Sequence, residues 1–238
     1  MDRFAITQVY GIHNAPNVPF GQFLTTPDAL MASVDTAFVY ITGKGGHGAT
    51  PHECVDPVVA VVGMVGAIQT IIPRNVYALD EAVVSVTQIH TGTASNIIPD
   101  SAFINGTVRT FDKETQETIQ RRMGEIVQGQ AASYGVEAEL IYEAGYPATV
   151  NAPEQTEFAA SVARGLVGDA KVDAAFPKVA GAEDFSYMLE ERPGAYLFLG
   201  AGPGAGLHHP KYNFNDEVAP IGASFFVQLV ETMQPAVK

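Results

Sequence analysis

The spacing of apolar positions along residues 34–147 switches between the period of a strand and that of a helix, and the order of the switches predicts a self-contained unit. Residues 38–42 alternate as a strand. Residues 57–72 are apolar for too long to be a strand. Val58, Val61, Val62, Val65 and Ile68 fall on one helical stripe, Pro57 suits a first turn and Pro73 ends the run. Residues 83–89 and 102–110 read as strands, the latter with Ile104, Gly106 and Val108 on one face and Asn105, Thr107 and Arg109 on the other. Asp112 can cap a second helix, Ile119, Met123, Ile126 and Val127 form its stripe, and Gly135 can end it. Residues 136–142 alternate as a last strand. The order βαββαβ predicts a ferredoxin-like unit, an antiparallel sheet with its helices on one face. Such a sheet leaves a face and an edge open for dimerisation.

The flanking segments have a different pattern. Residues 6–12 read as a buried strand running into Gly11-Ile12-His13-Asn14-Ala15-Pro16, with no element before it. A strand this apolar needs neighbours on both sides, so the expectation is that Met1 is not the start of the ancestral domain. Asn151, with Glu154 three residues on, predicts a capped helix whose face is Phe158, Val162 and Leu166 and which Gly168 follows. A short strand over 172–176 is expected next. A short helix opened by Ala180-Gly181-Ala182-Glu183-Asp184-Phe185-Ser186 must stop before Pro193. A buried strand over 195–199 and a glycine-rich loop lead to Leu207-His208-His209-Pro210. A final helix over 220–233 packs through Ile221, Phe225, Leu229 and Met233. The expected organisation is a discontinuous α/β domain, 1–33 with 148–238, into which 34–147 is inserted as a lid.

Composition narrows the function. Hydrophobic residues are 47% of the 238, which is globular and not disordered. Lys plus Arg is 13 against 26 Asp plus Glu, a net charge of −13 with no basic cluster, so nucleic acid and anionic membrane are excluded as partners. Cys54 is the single cysteine, which rules out an intrachain disulfide and fits a reducing, cytoplasmic setting. The opening residues lack a signal-peptide apolar region, and the apolar run 58–72 is shorter than the roughly 20 residues of a membrane span.

Three of the six histidines, His13, His47 and His208, stand in glycine- or proline-bounded segments after apolar strands. His47 belongs to the loop Gly43-Lys44-Gly45-Gly46-His47-Gly48-Ala49-Thr50-Pro51-His52, where glycine lets the backbone turn sharply. Imidazole is the commonest metal ligand, and Glu183, Asp184 and Asp216 are possible acidic partners. Spacing alone leaves His13 and His208 open between ligands and ordinary loop histidines. Neither a Gly-x-Ser-x-Gly elbow nor a P-loop is present, and Cys54 reads as packing. Arg109, placed by topology near Asn96 and Thr107, could clamp a carboxylate or make a surface salt bridge.

Six segments in order carry a resemblance. They are the ones at His13 and His47, together with Ser95-Asn96-Ile97-Ile98-Pro99-Asp100, Gly106-Thr107-Val108-Arg109-Thr110-Phe111, Ala182-Glu183-Asp184-Phe185 and Leu207-His208-His209-Pro210-Lys211-Tyr212-Asn213-Phe214-Asn215-Asp216. The chain resembles the metal-dependent amidohydrolases that include hippurate hydrolase, N-acyl-amino-acid amidohydrolases and indole-acetyl-amino-acid hydrolases. The resemblance implies a zinc-peptidase-like α/β catalytic domain with an inserted ferredoxin-like lid that dimerises. It implies a site with two divalent metal ions (zinc, manganese, cobalt or nickel) and a small N-acyl amino acid as substrate. By the same resemblance His13 and His208 are metal ligands and His209 is the neighbour most easily confused with a ligand. His47 reaches a partner subunit's site to steady the oxyanion, Asn96 and Arg109 hold the substrate carboxylate, and Glu183 lies near the site without being a ligand. The family's first metal motif and its glutamate pair, one of them the general base, have no counterpart here. The expectation is therefore a C-terminal portion, inactive and aggregation-prone alone. A non-catalytic dimerisation module is the rival from another class. A small-peptide carboxypeptidase or an acyl-diaminopimelate deacylase is the rival nearer by.

Overall fold

The structure, a computed structural model, describes residues 1–234. The chain divides into two compact units, one made of Met1–Met31, Thr149–Val179 and the residues from Glu183 onward, the other of Ala32–Ala148 with Ala180–Ala182. The first unit opens with β1 (Val9–Pro16), β2 (Phe23–Leu24) and β3 (Asp28–Met31). The second contains β4 (Asp35–Thr42), β5 (Gly46–His47), α1 (Pro57–Ile68), α2 (Ile71–Asn75), β6 (Ala82–Thr91), β7 (Ile97–Ile98), β8 (Ser101–Thr110), α3 (Lys113–Tyr134) and β9 (Glu137–Ala144). The first then resumes with β10 (Thr149–Asn151), α4 (Pro153–Val167), β11 (Val172–Asp173), α5 (Ser186–Glu191), β12 (Gly194–Gly202) and α6 (Ala219–Met233).

In the second unit the main sheet has the order β6-β8-β4-β9, all antiparallel, which is the ferredoxin-like arrangement expected from the βαββαβ pattern. Val39, Ile41, Ala102, Ile104 and Val108 bury one face against Ala60, Val61 and Met64 of α1 and Ile119, Met123 and Val127 of α3. The Asp112 carboxylate accepts from Thr115 N (2.7 Å) and caps α3, which Gly135 ends. The edges differ. β6 has ten residues and no charged side chain, whereas β9 carries Glu137, Glu139 and Glu143.

Two details of this unit depart from the sequence pattern. The expected single helix over 57–72 breaks at Gln69–Thr70, and Pro73 lies inside the short α2 instead of ending the run. The buried face of α1 is Ala60, Val61, Met64 and Ile68, while Val62 is 70% exposed. A helix apolar on every side gives no period by which to choose its inner face.

In the first unit the sheet order is β1-β12-β2-β11, with β1 parallel to β12 along its whole length. α4 and α6 cover one face through Ala159, Val162, Ala163, Phe225 and Leu229. Leu30, Met31 and Tyr196, with Phe176, Phe185 and Phe198, form a cluster of their own. Met233, expected in the core, is 44% exposed at the end of α6. Asn151 does not cap α4. It is fully buried in β10, and its amide accepts from Tyr196 N (2.7 Å) and donates to Tyr196 O (3.1 Å) and Thr26 O (2.9 Å). Tertiary hydrogen bonds have claimed the side chain that local pattern assigned to the helix.

Candidate functional site

His47 stands at the tip of a closed loop. Lys44 and Val55 exchange both backbone hydrogen bonds (2.8 and 2.9 Å), and Gly43 N donates to Asp100 O (2.8 Å). A Cβ on Gly43 would lie 2.2 Å from the Val55 carbonyl oxygen, so only glycine permits this closure. His47 pairs with Ile97 across the β5–β7 ladder, and Gly48 N donates to Asn96 O (2.8 Å). The structure thus sets Asn96 beside His47. The His47 ring Nδ1 accepts from Ala49 N (3.0 Å), so in the neutral ring the proton sits on Nε2. The exposed nitrogen is then an N–H donor, suited to a developing negative oxygen and not to a metal.

Arg109 is elsewhere. It lies opposite Val83, eight residues along β8 from Ser101, or about 26 Å at the usual strand rise. The expected proximity of Arg109 to Asn96 therefore does not occur within this unit, because one strand runs the length of the sheet between them. Alternation puts Arg109 on the face away from the helices, with Phe103, Asn105 and Thr107. The side chain is half-buried, and no hydrogen bond or ion pair engages it among the described residues. An unpaired guanidinium in a chain of net charge −13 argues against the salt-bridge reading.

His13 is inside β1, opposite Phe198 of β12, and not in a following loop. Its Nδ1 donates to Asn14 O (2.7 Å), which leaves the Nε2 lone pair free. That is the tautomer a metal requires and the opposite of His47. The Asn14 amide in turn donates to the Tyr212 hydroxyl (2.5 Å), tying the end of β1 to the loop that carries His208. Asn215 to Ala201 O (2.9 Å) and Gly204 N to Asn17 (3.2 Å) anchor the same loop. His208 has a left-handed backbone, φ 63°, a conformation costly for a side-chain-bearing residue and tolerated where a side chain must be aimed. His209 Nδ1 accepts from Lys211 N (3.0 Å), so its proton is on Nε2 and it offers no free lone pair.

Two imidazoles are donors that a divalent cation takes, but no group of three His, Cys, Asp or Glu side chains converges among the described residues. Three protein ligands with a water is the usual catalytic zinc arrangement. These residues alone do not complete a metal centre.

Glu183 is the acidic group that accepts the Tyr196 hydroxyl hydrogen. Burial pushes its carboxyl up. The hydrogen bonds from the Tyr196 hydroxyl and Phe185 N–H, with Asp184 beside them, outweigh burial and hold it below the usual carboxylate value. Asp184, hydrogen-bonded to Glu183, is raised. Burial and the Glu183 carboxylate push the Tyr196 phenol far up. Asn14 and Tyr212 lie within the motifs quoted above but Tyr196 does not, and the roles of all three arise from contacts 198 and 13 residues apart in sequence.

The sequence profile described as peptidase family M20/M25/M40 matches residues 1–232. The chain is 34% identical over 233 residues to the N-acetylcysteine deacetylase of Bacillus subtilis, which covers 98% of this chain and 60% of the relative. It is 33% identical over 228 residues to the hippurate hydrolase of Campylobacter jejuni, covering 96% of this chain and 60% of that one. Among solved structures it superposes on the YxeP protein of Bacillus subtilis, described as a dinuclear metal-binding peptidase, with a TM-score of 0.79 at 28% identity. That match covers 98% of this chain and 58% of the other. The chain therefore spans about 60% of the length of these relatives.

Proposed function

The chain belongs to peptidase family M20/M25/M40, and on that footing we propose that it is the C-terminal portion of a metal-dependent amidohydrolase of N-acyl amino acids. The reaction is hydrolysis of the amide bond to an organic acid and a free amino acid. The observation that carries this reading is the contrast of tautomers. His13 turns a lone pair outward and His47 turns an N–H outward. His13 and His208 serve as metal ligands beside others outside this chain, which also supply the general base. His47 donates to the carbonyl oxygen as negative charge develops on it. Arg109 holds the substrate carboxylate through parallel hydrogen bonds, and Asn96 adds its amide.

A single lid cannot bring His47 and Arg109 to one small substrate, so the site draws on two copies. The uncharged β6 edge and the adjoining exposed Val59 and Val62 of α1 fit a homodimer contact. The names of the deacetylase and hippurate hydrolase relatives support N-acyl amino acids as the substrate class.

Calorimetric titration of zinc into the purified chain tests the reading. His13→Ala and His208→Ala should each weaken binding, His209→Ala should not, and the 238-residue chain should not hydrolyse hippurate by itself. Zinc binding indifferent to both substitutions, in a stable dimer, would favour the non-catalytic lid module. Metal-dependent hippurate turnover by this chain would overturn the assignment of base and ligands to residues outside it.

A further inference from the structure

Glu183 takes no part in the chemistry above, yet its carboxylate is held by the Tyr196 hydroxyl and by Phe185 N (3.3 Å). Tyr196 is buried in β12, two residues before Phe198. It lies opposite Gly11 as Phe198 lies opposite His13. A Cβ at Gly11 would come within 2.8 Å of the Tyr196 ring, so the glycine is what lets that ring lie over β1. The rings then form a series. Tyr196 meets Phe198 edge-on (6.0 Å, 82°), and Phe198 meets the His13 imidazole edge-on (6.4 Å, 68°). Phe185 closes on Tyr196 from beside (5.3 Å) and Phe176 supports Phe198 (6.1 Å). Asn151 fixes the Tyr196 backbone, so the hydroxyl contact to Glu183 is what remains to fix the ring's far end.

We propose that Glu183 is a positioning residue for His13. By accepting the Tyr196 hydroxyl hydrogen it locks Tyr196, Tyr196 locks Phe198, and Phe198 sets the plane of the His13 ring and the direction of its Nε2 lone pair. The purpose of this series rests on His13 as a metal ligand, but the geometry does not. Without Glu183 the phenol is left buried and unpaired, and it recovers a partner only by moving its ring. That motion passes to His13 because packed rings leave no slack.

The test reads the His13 ring directly. In the metal-free chain with 15N-labelled histidine, long-range proton–nitrogen correlations report each imidazole's tautomer and order. Wild-type His13 should show one ordered tautomer protonated on Nδ1. Glu183→Ala and Tyr196→Phe should each broaden it or add the second tautomer, leaving His90 unchanged. Glu183→Gln, which accepts the same hydrogen without the charge, should restore the wild-type pattern, and Glu183→Ala should weaken zinc binding about tenfold. Where far-UV circular dichroism shows Glu183→Ala unfolded, Tyr196→Phe decides. An unchanged His13 pattern in the folded variants overturns the proposal, as does a Glu183→Gln variant as disordered as Glu183→Ala. A His13 ring that responds while His13→Ala leaves zinc binding intact upholds the positioning and removes the metal assignment instead.

Discussion

His47 lies on the small β5–β7 ladder that precedes the Ser101 end of β8, and Arg109 stands near the other end of that strand, with most of the length of β8 between them. A substrate small enough to be an N-acyl amino acid cannot touch both from the same lid. If both residues serve one substrate, as proposed, strand length alone calls for two copies.

The interface should respond to charge. Val62→Glu on α1 together with Val83→Lys on β6 should halve the mass measured by sedimentation equilibrium without altering circular dichroism. Both positions are exposed, at 70% and 41%, so the fold itself has little to lose. An unaltered mass would place the contact elsewhere.

Arg109→Ala should leave the unfolding free energy from urea denaturation within about 0.5 kcal/mol of wild type, because the guanidinium engages no partner among the described residues. A loss well above 1 kcal/mol would mark Arg109 as structural and withdraw it from the substrate site.

The opposite holds for Asp35, which is 1% exposed. Its carboxylate accepts from Gln116 Nε2 (2.9 and 2.8 Å), the Tyr142 hydroxyl (2.7 Å) and Gly145 N (3.2 Å), joining β4 to α3 and β9. Asp35→Ala strands the Gln116 amide and the Tyr142 hydroxyl, while Gly145 N keeps the Val34 carbonyl (3.0 Å), and should cost about 3 kcal/mol by urea denaturation. A cost under about 1 kcal/mol would mean that water reaches the vacated site.

Alkali should destabilise the chain through its phenols. Burial, with Glu154 nearby, pushes Tyr10 up to about 12, and burial with Asp35 raises Tyr142 further. A raised folded-state value favours the folded form while the unfolded phenol keeps its proton. That advantage is complete below about pH 10 and disappears as pH rises through the folded values. The urea midpoint should hold to about pH 9.5 and fall steeply above it, and Tyr10→Phe should make the fall shallower. A midpoint flat to pH 11.5 would contradict the burial of these rings.

Local chemistry made α3 readable, since Asp112 and Gly135 mark both ends where the residue type answers a backbone need. The same logic failed at Asn151, whose amide satisfies Tyr196 and Thr26 across the sheet. The break after α1 and its inner face were illegible because valine and glycine surround that helix without a polar side. The short pairings β2 with β12 and β3 with β10 depend on partners more than 100 residues away. For the candidate site, residue types singled out His13, His47, His208 and Arg109. The assignment of lone pair and proton to each imidazole needed the neighbouring backbone groups. The distance from Asn96 to Arg109 was within reach of the sequence, because residues 101–110 already read as nearly one strand.

The unlike edges of the lid sheet also limit how many chains can join. Growth through β6 uses up the uncharged border of the lid sheet, and the three glutamates on β9 turn away any newcomer at that sheet's far border. A pair formed in this way is closed by its own two-fold symmetry. Association through the lid sheet should therefore stop at pairs and not extend into a ribbon.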